Sequence, residues 1–209
     1  IKNNKISPDW NSLNVISENA STVGSLDLGI YKTLDGSNNI LSELQKNNFE
    51  ILFLLGQDNL NFKKKNEFII YLGSHGDRGA EIADIILPGA AYTEQSGHYV
   101  NLEGRLQKAY KASYPPGDAK EDWLIINELS EVISKRRLFT DKEDLENNMI
   151  NYINLLTNNS SQKNNFNPDN LTFYKEDVKV NHIDYYYSNA IARASKTMFN
   201  CREEKKKRN

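Results

Sequence analysis

Cysteine is almost absent from this chain: of 209 residues, only Cys201 carries a thiol. A lone thiol excludes an internal disulfide, and it cannot by itself hold an iron–sulphur cluster, which takes about four ligands. Any such cluster belongs to another chain. A basic excess is missing as well. Lys and Arg number 26 against 28 Asp and Glu, a net charge of −2, whereas a nucleic-acid binder needs a cationic surplus to meet phosphates. No apolar run approaches the roughly 20 residues that span a bilayer, and charged residues make up 26% of the chain, so direct membrane insertion is not expected. Position 1 is Ile, not Met, which points to a chain that is processed, trimmed or begun at an unusual start, with no targeting signal to read.

Asn, Lys and Ile are abundant instead, a composition expected of an AT-rich genome such as an organellar one. The length supports one substantial core, or one domain with a sizeable appendage.

The stretch 68–107, FIIYLGSHGDRGAEIADIILPGAAYTEQSGHYVNLEGRLQ, organises the rest. Its apolar runs at 68–72 and 85–87, like the earlier run at 51–55, are short and end in loops rich in Gly and polar residues. Such runs predict buried strands. Continuous apolarity, as opposed to alternation, predicts burial on both faces of a parallel sheet. Between the second and third strands there is room for about one helical turn, too little for an ordinary βαβ crossover. Three strands do not complete a doubly wound sheet, so another polypeptide is expected to supply the others.

Helices are predicted around this core. Ser7-Pro8-Asp9 reads as a helix start, with Trp10, Leu13, Ile16, Ala20 and Val23 on one face up to Gly24. A second helix fits 37–47, with Ile40, Leu41 and Leu44 inward. After the rigid turn Tyr114-Pro115-Pro116-Gly117, Asp118 and Glu121 suggest a capping box, followed by an inward face of Ile125 or Ile126, Leu129, Val132 and Ile133. The basic cluster Lys135-Arg136-Arg137 suits that helix's C-terminal end. A further helix fits 141–156, with Leu145, Met149, Tyr152, Ile153 and Leu156 on one side. The Asn-rich stretch 157–170 reads as a surface loop, 171–180 as extended, and 189–199 as a helix capped by Ser188, before a frayed charged tail. The fold class is thus α/β, an incomplete parallel-type sheet flanked by helices. The expected division is 1–137 for the α/β part and 138–209 for a helical and extended C-terminal segment.

Candidate chemistry sits at the ends of the strands, where ligands bind α/β sheets. In the loop Gly73-Ser74-His75-Gly76-Asp77-Arg78-Gly79, His75 could act as a base oriented by Asp77. No nucleophile is placed by any local signature, so hydrogen bonding that ties down the loop is the stronger reading. Its glycines resemble an anion cradle, but a tight turn needing positive φ explains them equally well. Glu94, Glu103, Arg105 and His98 match no metal spacing, with His182 far away, and read as a polar network pairing with Arg78 or Arg105. Tyr185, Tyr186 and Tyr187 read as an interface anchor.

The segment 83–107, ADIILPGAAYTEQSGHYVNLEGRLQ, resembles part of the molybdopterin oxidoreductase superfamily. The motifs YLGSHGDRGA (71–80) and PPGDAKEDWLIINELSEV (115–132) look like the largest iron–sulphur subunit of respiratory complex I. DYYYSNAIARASKTMFNC (184–201) is similar to the C-terminal end of its mitochondrial form, and DWNSLNVISENASTVGSLDLG (9–29) to a stretch well upstream. The resemblance covers nearly all of 9–201. Departures are Ser74 where a second His is common, His98 where a small residue is usual, Leu102 where Thr is usual, and the Asn-rich insertion after Thr157.

The resemblance implies a C-terminal piece of that subunit, whose cluster-binding cysteines lie in a region absent here. In that family the pterin-type domain has lost its cofactor and serves as scaffold. The expectations that follow are no catalytic residue and no cofactor or metal in this chain, with Gly73, His75, Gly76 and Asp77 as relics of a cleft that also includes 56–59. Iron–sulphur clusters and FMN are expected in partner chains. The partners implied are the cluster-bearing N-terminal half and other peripheral-arm subunits, at the matrix side of the mitochondrial inner membrane. The competing readings are a fragment of an active molybdopterin-dependent oxidoreductase and a free-standing small-ligand-binding domain.

Overall fold

The computed structural model describes residues 6–7, 10–11, 16, 19–30, 44, 49–57, 63–159 and 184–208. The chain divides into two units interleaved in sequence, one of 1–32, 98–108 and 140–180, the other of 33–97, 109–139 and 181–209.

The second unit carries the sheet. Strands β3 (Ile51–Leu55), β4 (Phe68–Gly73) and β5 (Ile85–Pro88) lie in the order β3-β4-β5, all parallel. Register runs from Ile51↔Phe68 to Leu55↔Leu72, and from Ile70↔Ile85 to Gly73↔Pro88. Between β4 and β5 comes the single turn α2 (Arg78–Glu81). The crossover that seemed too short for a βαβ unit therefore makes one. It succeeds because Asp84 bridges its end, accepting from Ile69 N at 2.7 Å and from Lys64 Nζ at 2.6 Å.

Burial on both faces holds only for the later part of the central strand. Leu54, Ile69 and Tyr71 form the core cluster, and Leu52, Ala80, Ile82 and Ala83 pack against it. On the other face Leu72 is buried, but Ile51, Phe53, Leu55, Phe68 and Ile85 are 44–56% exposed. The edge strands were expected to be buried. On this face their side chains are instead exposed, and the buried part lies at Leu72, where Gly89 and Asp122 close over it.

After β5 comes α3 (Asp122–Ser134), one turn later than the predicted box at Asp118. Glu121 occupies the N-cap position without a side-chain cap bond. Ile125 is the buried member of its inward face, while Val132 and Ile133, predicted inward, are 69% and 72% exposed. The helix stops at Lys135, in the left-handed region at φ 56°. Buried Asn127 then pins the chain beyond it. Its Oδ1 accepts from Leu138 N (2.7 Å) and Phe139 N (3.1 Å), and its Nδ2 donates to Phe139 O (2.8 Å).

At the C-terminal end a 3-10 turn (Tyr185–Tyr187) leads to α5 (Ala190–Ala194) and α6 (Lys196–Arg208). The single helix expected at 189–199 is broken at Ser195, which is extended. Asn189, not Ser188, supplies the cap by accepting from Ala192 N at 2.9 Å. The tail expected to fray continues the helix to Arg208, braced by the pairs Glu203–Lys206 and Glu204–Lys207.

In the first unit, β1 (Ile6–Ser7) pairs antiparallel with β2 (Trp10–Asn11), and α1 (Thr22–Asp27) follows. The helix predicted from Ser7 is thus replaced at Trp10 by a strand, since a Pro-Asp pair is as good a turn signal as a helix start. Strands β6 (Gly97–Val100) and β7 (Leu106–Ala109), both unpredicted, pair with each other. Helix α4 (Lys142–Asn159) confirms the predicted one at 141–156 and runs three residues further, into the stretch read as loop; Tyr152, on its predicted inward side, is half exposed. The predicted helix at 37–47, apart from helical Leu44, and the extended segment at 171–180 lie outside the described residues.

Candidate functional site

Loops leaving the carboxyl ends of β4 and β5 enclose a cleft of about 510 Å³, lined by Ser74 and His75, by Pro88, Gly89, Ala91 and Glu94, and by Pro116, Asp118 and Ala119. This is where an α/β sheet places a ligand. Local bonds hold the three walls together: Gly89 N donates to Gly73 O (3.0 Å), Ala90 N to Lys120 O (2.8 Å) and Lys120 N to Pro88 O (3.2 Å).

Glycine at 73 and 79 answers to one side chain. The Tyr71 ring lies on the same face of the sheet as α2, and its hydroxyl donates to His75 O at 3.0 Å. A Cβ on Gly73 would collide with that hydroxyl, and one on Gly79 would meet Gln57 O at 2.6 Å and the ring at 2.8 Å. Neither glycine has positive φ, and nor does Gly76; among the described residues the positive-φ glycines are Gly29, Gly56, Gly104 and Gly117. The tight-turn explanation is corrected to one of close approach, and around Gly76 nothing lies within 4 Å.

His75 and Asp77 turn to different partners. The His75 Nδ1 pairs with Ser74 Oγ at 2.9 Å. Asp77 caps α2, its Oδ1 accepting from Arg78 N at 2.8 Å, while Oδ2 accepts from Arg193 Nε at 2.5 Å. Burial pushes the Asp77 carboxyl up, but the Arg193 and Arg78 hydrogen bonds and their charges outweigh it and hold the group below its ordinary 3.8. A His75–Asp77 dyad is therefore not assembled. Sequence reasoning missed Arg193, which lies 116 residues from its partner in a helix with no local mark of that role.

Asp122 was missed as well. Its Oδ2 accepts from Gln95 Nε2 at 3.3 Å, and its buried Oδ1 has no hydrogen-bond partner. Burial raises its carboxyl, helped by the charge on Glu121 and opposed by the Gln95 bond. The Cβ a residue would need at 89 falls 2.7 Å from that Oδ1, which accounts for Gly89.

The predicted network of Glu94, Glu103 and Arg105 does not form as expected: Glu94 accepts from Ala91 N at 3.0 Å, and in the other unit Glu103 N and Arg105 N both donate to Asn101 Oδ1. His182 lies outside the described residues, among which no cluster of His, Cys, Asp or Glu could hold a metal. Of the three tyrosines only Tyr185 is strongly exposed. Tyr187 and Tyr186 lie under Arg202 and Lys205.

Residues 1–132 match the molybdopterin oxidoreductase family. The chain is 41% identical over 200 residues to the NADH-ubiquinone oxidoreductase 75 kDa subunit of Reclinomonas americana, covering 92% of this chain and 29% of that protein. It is 40% identical over 210 residues to a subunit of the NADH-quinone oxidoreductase of Rickettsia bellii, covering 98% and 29%. A third relative, the mitochondrial NADH-ubiquinone oxidoreductase 78 kDa subunit of Candida albicans, is 36% identical over 219 residues, covering 93% and 28%. The chain thus spans less than a third of the length of these curated relatives.

A molybdopterin brings phosphate, so its site needs free backbone N–H groups and cations. The cleft offers two carboxylates, Glu94 and Asp118, and one imidazole, with no Lys or Arg in its lining. Its N–H groups at Gly89, Ala90 and Ala91 already donate to Gly73 O, Lys120 O and Glu94. These residues do not fit the group. With the match over 1–132, the chain belongs to the molybdopterin oxidoreductase family, and across nearly its whole length it is similar to the 75 and 78 kDa subunits of NADH–ubiquinone oxidoreductase.

Proposed function

We propose that this chain is a structural, non-catalytic part of a proton-translocating NADH:ubiquinone oxidoreductase, on the peripheral, matrix-side arm of mitochondrial complex I. It completes the α/β domain of the subunit whose other half bears the iron–sulphur clusters. Hydride and electron transfer take place on FMN and iron–sulphur centres in partner chains, for which the single Cys201 here offers no ligand set. The relatives supporting this reading carry mitochondrial and bacterial names alike, and the mitochondrial placement rests on the terminal motif and the composition. Among the described residues no helix is long and apolar enough to cross a membrane, in keeping with a peripheral position.

One observation carries the scaffold reading: the loop after β4 is packed and fastened by the chain's own side chains. The Tyr71 ring occupies the space that Gly73 and Gly79 leave, and Arg193 neutralises Asp77. It supports the relic assignment of Gly73, His75, Gly76 and Asp77.

The test is the native mass of the particle holding this chain in gently solubilised membranes, with NADH dehydrogenase staining of the same band. Co-migration with a very large NADH-oxidising particle is expected. In that particle, joint replacement of His75 and Asp77 by Ala lowers the amount assembled and leaves turnover per assembled particle unchanged. Loss of turnover at normal assembly, or molybdenum or tungsten at about one atom per chain, overturns the reading in favour of an active pterin enzyme.

A further inference from the structure

Among the described residues both edges of the sheet lack a further strand. Beyond β5 the chain supplies one bridge at the strand's carboxyl end, Lys120 to Gly89, where Pro88 brings no N–H outward. Beyond β3 no described strand follows. Glu50 O and Gly56 N bond to β4, so by alternation along a parallel ladder the backbone groups of Ile51, Phe53 and Leu55 point away from it. This is an unblunted edge of three residues, the kind that pairs with another strand.

Side chains of the same three residues, with those of Phe68 and Ile85, share the sheet face opposite the Leu54–Ile69–Tyr71 cluster, and all five are 44–56% exposed. Contiguous apolar surface of this sort marks a docking site. Topology says what covers it. Crossovers of a parallel sheet share one hand, so those running the same way across the sheet leave their helices on the same face. Here the chain runs β3 to β4 to β5, and the crossover into β5 leaves Ala80, Ile82 and Ala83 on the Tyr71 face. The bare face is reached by a crossover running the opposite way, out past β3.

We propose that β3 and the bare face together dock a strand–helix unit from the polypeptide that the relatives carry beyond the stretch matched here. Its strand adds parallel to β3, and its helix lays an apolar stripe over Ile51, Phe53, Leu55, Phe68 and Ile85. More than two thirds of each relative lies outside the match, ample length for such a unit. The proposal rests on the scaffold reading and specifies which surface of this chain performs it.

The experiment places a photoreactive phenylalanine analogue at position 53 and irradiates the assembled particle. The expected adduct joins position 53 to a peptide outside these 209 residues. An adduct to any peptide within them, whether from this copy or a second one, or no adduct at all, overturns the proposal. In parallel, Phe53→Lys and Ile85→Lys are expected to cut incorporation into the particle about tenfold, since each buries an unpaired charge at the contact. Ile133→Lys, on α3 at a residue 72% exposed, changes incorporation less than about twofold. Equal incorporation of all three overturns the proposal as well. A chain that co-migrates with the large particle yet fails these tests leaves the scaffold reading standing and removes only this surface.

Discussion

Arg193 reaches back across 116 residues of sequence to Asp77, its Nε 2.5 Å from the carboxylate Oδ2, with both side chains largely shielded at 18% and 23% exposed. The same guanidinium donates to Tyr187 O at 3.3 Å, so it fastens the C-terminal turn and the loop after β4 at one point. A double-mutant cycle of Asp77→Ala and Arg193→Ala is expected to show a coupling of about 1–2 kcal/mol, above that of an exposed pair because the bond is charge-assisted and shielded. Thermal denaturation of the assembled particle measures it. Additive losses would mean that the two residues act separately.

Acid should loosen that fastening. Asp77 is held below its ordinary 3.8 by Arg193 and Arg78 despite burial. Its contribution is therefore complete above the unfolded carboxylate pKa and disappears as pH falls through the lower, folded value. Hydrogen exchange at the amides of 74–78, corrected for the intrinsic effect of pH, should accelerate only below pH about 4 and should do so at higher pH in Arg193→Ala. A loop that opens near neutrality would contradict this.

The strands at 51–55 and 68–73 were legible because a short, unbroken apolar run bounded by Gly and polar residues has few other uses. Their burial was not. Apolarity at Ile51, Phe53 and Ile85 predicts burial, whereas this chain leaves these residues exposed. At Trp10 the local signal was ambiguous, since Pro8-Asp9 suits a turn as well as a helix start, and pairing with β1 decided it. Within the site, the glycines drew notice for the wrong reason. The ring that demands Gly79 lies eight positions earlier, at Tyr71, and no rule of turn chemistry links the two. Arg193 had no signal at all, because an ion pair spanning two elements leaves no spacing to read.

Glycine positions in the loop should separate sharply on substitution. Gly79→Ala forces a Cβ to 2.6 Å from the backbone Gln57 O and 2.8 Å from the Tyr71 ring, overpacking expected to destabilise by about 1–3 kcal/mol. Gly76→Ala meets nothing within 4 Å and has no positive φ to strain, so it should change stability by less than about 0.5 kcal/mol. Melting of the two variants side by side decides the matter. If Gly76→Ala proved the worse of the pair, the loop would have a use for that position beyond packing.

Asp122 should be a residue whose charge weakens the fold at neutral pH. Burial raises its carboxyl, Glu121 adds to the effect, and the Gln95 bond offsets only part of it; one oxygen is buried without a partner. A carboxyl raised on folding contributes stability below its unfolded pKa and loses it as pH climbs through the folded value. Asp122→Asn keeps the shape and an oxygen for the Gln95 Nε2, and removes the charge. The expected result at pH 7 is a gain of about 1 kcal/mol, read as a rise in Tm of about 2–4 °C for a chain of this size. As pH falls below the ordinary carboxyl value of 3.8 the gain should shrink towards zero, because Asp122, raised above that value, is then the neutral acid in the wild type too. Glu121→Gln tests the cause independently: it removes the neighbouring charge, at the expense of the Lys111 pair at 3.3 Å, and should reduce the benefit of Asp122→Asn. A gain of the same size at both pH values would place the effect in packing and not in the buried charge.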